Sequence, residues 1–147
     1  MEIPEYVTVE EVQRVCKALG IRDWTQIPDA KVPPEEVAII LKGIKTDGLE
    51  ITLEIFRQGL EVELEHGTRY PSANVTNNHP ILTGKIVLAH LKETLDYYDR
   101  LEVAELEGDV LKAVVSGNSD KLLKYLKKLI LAKRSLVMSE SEQIGNR

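Results

Sequence analysis

Leu49, Leu53, Phe56, Leu60 and Leu64 recur three and four residues apart, and no other feature constrains the fold of this chain as strongly. Side chains at those intervals share one face of a helix, so the stretch must bury an apolar stripe. The pattern predicts a helix over 49–66, ended by Gly67 in the position that favours glycine. Ile86, Val87, Leu91, Leu95 and Tyr98 predict a second helix over 83–106, capped by Thr83, so that the two form a central antiparallel hairpin. Few stretches alternate with period two. The expected fold is an all-α helical bundle of five or six helices.

The remaining segments fit that class. Thr8-Val9-Glu10-Glu11 reads as a capping box, with Thr8 as N-cap and Glu11 reaching back. Val9, Val12, Val15, Cys16 and Leu19 form the apolar face of the helix it opens, and Gly20 ends it. Trp24 is expected as an anchor on the core edge. Pro34 opens a short helix over 35–42, where Glu35 and Glu36 complement the dipole. Thr46-Asp47-Gly48 signals a turn. Residues 68–82 read as a long polar loop, a length at which loops are often functional. Gly108 is expected to interrupt the second hairpin helix, and Ser116-Gly117-Asn118-Ser119 to break the chain. A basic amphipathic helix over 119–138, capped by Asn118 or Ser119, precedes a frayed tail over 139–147.

The chain of 147 residues fits a single helical domain, with its core over 7–115. A hydrophobic fraction of 43% and a charged fraction of 29% are ordinary globular values. No apolar run approaches the roughly 20 residues of a membrane span. The acidic start, MEIPEYVTVEE, lacks the basic and apolar regions of a signal peptide. One cysteine, Cys16, cannot form an intramolecular disulfide and suits a reducing compartment, so a cytoplasmic location is expected. A net charge of −5 argues against nucleic acid as a partner.

The chemistry-bearing residues gather near the predicted hairpin. Glu63 and His66 lie three apart on one helix face, and His90 and Glu93 repeat the spacing in reverse. Antiparallel packing would set His66 level with His90 and Glu63 level with Glu93. Two imidazoles and two carboxylates suit a divalent metal, zinc, iron or manganese, better than calcium. Glu65, Asp96, Tyr97 and His79 stand near enough in sequence to support such a site or a ligand in it. Each also has a bland reading: Glu63 and Glu65 as solvated helix charges, and His66 as a helix-end cation. His90 would then be a hydrogen-bonded core histidine, His79 turn chemistry before Pro80, and Tyr97 a core-edge residue. Walker, G-x-G-x-x-G, G-x-S-x-G and C-x-x-C motifs do not occur.

The stretches FRQGLEVELEHG, NVTNNHPILTGKIVLAHLKE and DYYDRL, with VTVEEVQRVCKALGI near the start, resemble a family of small prokaryotic proteins catalogued as a domain of unknown function. The resemblance covers roughly residues 7–27 and 54–101. It implies that Glu63, His66, Thr76, His90, Glu93, Asp96 and Tyr97 occupy motif positions, and it implies no activity. Asn78-His79 stands where members tend to carry Asp before the proline, and Leu95 where they often carry Pro. The basic C-terminal helix falls outside the pattern.

Two functions follow as expectations. One is metal binding through Glu63, His66, His90 and Glu93. The other is a non-enzymatic interaction module that forms a homo-oligomer or binds an acidic partner through the basic helix.

Overall fold

A computed structural model describes residues 4–145; the first three residues of the acidic start and the last two of the tail lie outside the described residues. Six α-helices and one 3-10 turn account for the regular structure, with no strand among the described residues. The all-α bundle is therefore observed. The chain forms two compact units, meeting in sequence between Glu93 and Thr94.

The first unit holds α1 (Val9–Leu19), α2 (Pro34–Gly43), α3 (Leu53–Arg69), the 3-10 turn Pro71–Ala73 and α4 (Pro80–Glu93). Thr8 caps α1 by accepting the Glu11 amide at 3.2 Å, and Gly20 ends it at φ +70°. The capping box does not close, because the Glu11 carboxylate turns to Arg14 at 2.6 and 2.7 Å. Buried Cys16 lies on the apolar face of α1, where burial pushes its thiol up and leaves it unreactive.

Trp24 is not at the core edge but fully buried, its indole N–H donating to Glu36 Oε2 at 3.0 Å. Glu36, expected as a solvent-facing dipole partner, is buried beside it. There it accepts from the Arg22 backbone and from Arg22 Nε, both at 2.9 Å. Burial would push this carboxyl up, but the bonds from Arg22 and Trp24 outweigh it and hold Glu36 below the usual carboxylate range.

α3 starts at Leu53 rather than Leu49, because Thr52 supplies a cap by accepting the Ile55 amide at 3.2 Å. Phe56, Leu60 and Leu64 form the buried stripe, while Leu53 is left exposed. α4 packs on α2 and α3 through Gly84, where a Cβ would stand 3.0 Å from Ile40 Cγ2 and 3.2 Å from Phe56 Cζ. Val87 and Leu91 complete this core, whereas Ile86 is exposed.

The expected continuous helix over 83–106 is in fact two. α4 ends at Glu93, and α5 (Tyr97–Val115) begins the second unit after a turn at 94–96. That turn is fixed by Asp96, whose buried carboxylate accepts from the Thr94 hydroxyl and from Arg100 Nε and Nη2 at 2.9 and 2.8 Å. Burial acts to raise the Asp96 pKa, and these donors override it, so the group stays ionised. Gly108 does not interrupt α5, which runs through it unbroken.

Gly117 at φ +64° and Asn118, which accepts the Lys121 amide at 2.9 Å, reverse the chain into α6 (Ser119–Gly145). α5 and α6 pack antiparallel through Leu106, Leu129 and Ala132, with Val103, Val110 and Tyr125 against them. Residues 139–145, expected to fray, continue α6. Glu140 pairs with Arg100 at 2.8 Å, and Gln143 donates to Asp96 Oδ2 at 3.1 Å.

Candidate functional site

The end of α3, the Asn-rich loop and the first turns of α4 enclose a cleft of about 180 Å³. Its walls include Glu63, His66, Gly67, Asn74, Thr76 and Asn78. Pockets that bury drug-sized ligands run to roughly 300–1,000 Å³, so this one has room for an ion or a very small molecule.

Gly67 does not end α3. The Tyr70 amide still reaches His66 O at 2.9 Å, and the Thr68 hydroxyl bonds Leu64 O at 2.9 Å. The glycine serves a close approach: a Cβ here would stand 2.1 Å from Asn78 Oδ1 and 3.0 Å from Asn74 Nδ2. Asn74 donates to Asn78 Oδ1 at 2.8 Å, and Asn78 donates to Trp24 O at 3.3 Å. Asn77 and Asn78 adopt φ +48° and +60°, a region asparagine tolerates better than most residues. Asn77 ties the loop to the Val7 carbonyl at 2.7 Å.

His79, not Thr83, starts α4. Its Nδ1 accepts the Leu82 amide at 3.3 Å, its carbonyl accepts the Thr83 amide at 2.9 Å, and Thr83 is buried within the helix. An accepting Nδ1 requires a neutral ring. Burial, with help from Arg14 and Lys85, pushes the His79 pKa down, against its own backbone hydrogen bond and Glu11. His79 is thus a helix cap.

Glu63 is the centre of the remaining cluster. Its Oε1 lies 3.6 Å from His90 Nε2 and its Oε2 lies 3.9 Å from His66 Nδ1, with the carboxylate half-buried between the rings. The expected register set His66 level with His90; instead Glu63 itself faces His90. Glu93 is exposed on the last turn of α4. Glu65 is exposed and pairs with Arg69 at 3.6 Å. Asp96 belongs to the Arg100 and Gln143 network of the second unit, and Tyr97 stacks edge-on against Tyr98 at 5.2 Å. Among the described residues, no group of three or more His, Cys, Asp or Glu side chains is placed to hold a metal ion. Glu63 thus approaches both His66 and His90, through different oxygens, while Glu93 faces solvent.

Asn74 and Asn78 were not singled out as cleft residues from the sequence. Their signal was the i, i+4 repeat of asparagine in a loop that follows Gly67 by seven residues.

Fold and cleft together define an all-helical protein with a carboxylate held between two imidazoles at the mouth of an asparagine-lined cleft. The chain belongs to the family described as protein of unknown function (DUF5661), which matches residues 12–107, well over half its length. No curated protein and no solved structure matches it. No helix among the described residues is long and apolar enough to cross a membrane.

Proposed function

We propose that this protein is a non-enzymatic interaction module whose docking element is the α5–α6 hairpin. One observation supports the reading: α6 leaves Leu123, Leu126, Ile130, Val137 and Ile144 in solvent along its length, between 38% and 75% exposed. Single exposed apolar residues are common on any surface, but a contiguous patch of this extent marks a contact site. The hairpin core uses the neighbouring residues Leu129 and Ala132, so the outer stripe is spare. The test is the double substitution Ile130→Glu, Val137→Glu, followed by circular dichroism and urea unfolding. Compared with the wild type at a dilution where both are monomeric, unchanged helix content and a stability within about 1 kcal/mol are expected, as for surface changes. A loss of 2–5 kcal/mol, the size of a core truncation, would place the stripe inside the chain's own fold and end the proposal.

A second reading keeps Glu63, His66 and His90 as a divalent-cation site for zinc, iron or manganese. It rests on the carboxylate lying between two imidazoles. His66 Nδ1 approaches Glu63 Oε2 at 3.9 Å and His90 Nε2 approaches Oε1 at 3.6 Å, so an ion would have to draw the two imidazoles inward. Added zinc or manganese should raise the melting temperature of the wild-type chain and not that of the His66→Ala, His90→Ala variant. Equal melting with and without metal excludes it.

A further inference from the structure

We infer that the partner of the hairpin is a second copy of this chain, paired antiparallel so that two α5–α6 hairpins close into a four-helix bundle. The inference rests on the docking reading above and adds the identity and direction of the partner.

The first support is the spacing. Leu123, Ile130, Val137 and Ile144 recur every seven residues, the interval that keeps one seam facing one neighbour along a helix. They are 57%, 66%, 58% and 75% exposed. At about 100° per residue, this seam lies roughly a third of a turn from the face that packs on α5 through Tyr125, Leu129 and Ala132. A helix in a four-helix bundle contacts two neighbours at about that separation. α6 has one of them within its own chain.

The second support is that α5 joins the same side. Leu111, Val114 and Val115 are exposed, and they are offset from the α6-facing residues Leu106 and Ala113 in the same rotational sense as the α6 seam. Because the two helices run antiparallel, equal offsets fall on one side of the hairpin. The 27-residue α6 is about 40 Å long, and a two-helix face is some 20 Å wide, giving on the order of 800 Å². A standard interface takes about that much from each partner.

Charge sets the direction. Residues 119–134 of α6 carry Lys121, Lys124, Lys127, Lys128, Lys133 and Arg134 against Asp120, while its last turns carry Glu140 and Glu142. Parallel pairing would place the two basic stretches side by side. Antiparallel pairing sets each beside the acidic end of the other, and complementary potentials fix orientation. Four positions spaced by seven are symmetric about their midpoint. A two-fold axis there places Leu123 level with Ile144 of the partner subunit, and Ile130 level with Val137 of the partner subunit.

The experiment measures mass by analytical ultracentrifugation on the full chain, then disulfide formation between seam cysteines in a Cys16→Ser background. A dimer is expected, lost in the Ile130→Glu, Val137→Glu variant. Ile144→Cys alone should not cross-link to itself, whereas an equimolar mixture with Leu123→Cys should. Self-linking of Ile144→Cys without mixed product would overturn the direction. A monomer at every concentration would overturn the second copy as partner. The docking reading itself fails on the separate finding that the glutamate variant is destabilised against the wild-type monomer, compared at a dilution where neither chain associates.

Discussion

Glu36 stands on the first turn of α2, where a carboxylate ordinarily serves the helix dipole from solvent. Here it is buried under Trp24 and takes hydrogen bonds from that indole and from Arg22. Glu36→Gln keeps the shape but removes the charge that Arg22 and the indole N–H address. A loss of about 2–4 kcal/mol in urea unfolding is expected. Nothing local announced this role, since a glutamate at the start of a helix looks the same whether or not a tryptophan twelve residues away folds over it. His79 yields a pH prediction. Its folded pKa lies below the ordinary value near 6.5, so on acidification the unfolded chain takes up the proton first. The stability from the neutral cap is complete above that value and falls as pH drops through it. Urea midpoints at pH 7.5 and 5 should separate for the wild type and separate less for His79→Asn, which keeps an N-cap without a titrating ring. Equal separation in both would remove His79 as the source.

Among the helices, two of the glycines, 67 and 108, make opposite predictions. Both gain up to about 1 kcal/mol in helix propensity on substitution by alanine. At Gly108 the new methyl meets open space, so Gly108→Ala should stabilise the chain. At Gly67 it would stand 2.1 Å from an Asn78 oxygen held by Asn74, and crowding of that kind costs about 1–3 kcal/mol. Gly67→Ala should therefore be neutral or destabilising, and differential scanning calorimetry of the pair reads the contrast. The same residues mark how far periodicity carries. The stripe Phe56, Leu60, Leu64 located α3, because the α period is written into spacing. Its ends were misplaced, because Thr52 outcompeted Leu49 as a start and Gly67 serves the loop rather than a stop. The break between α4 and α5 was invisible for a similar reason. Val87, Leu91 and Tyr98 keep a helical rhythm across it, and the turn is held by the bonds of buried Asp96 to Thr94, Arg100 and Gln143. Of the candidate cluster, Glu63 and His66 were legible as i, i+3 neighbours. That His90 would meet Glu63 rather than His66 depended on where α4 begins, which His79 decides.

At the scale of the whole molecule, the family match ends at residue 107, within α5, so the spare seam of α6 lies beyond it. Pairing of two chains through that seam couples folding to protein concentration. The melting temperature should rise on concentrating the wild-type chain and stay constant for Ile130→Glu, Val137→Glu; parallel behaviour of the two would contradict the assembly. One buried carboxylate gives the hairpin a further property. Asp96 is served by an amide 47 positions downstream, near the far tip of α6. A change at Gln143 therefore takes a donor from the anion that fixes the start of α5. The last turns of α6 and the first of α5 are thus fastened at one point, and loosening either is felt by the other.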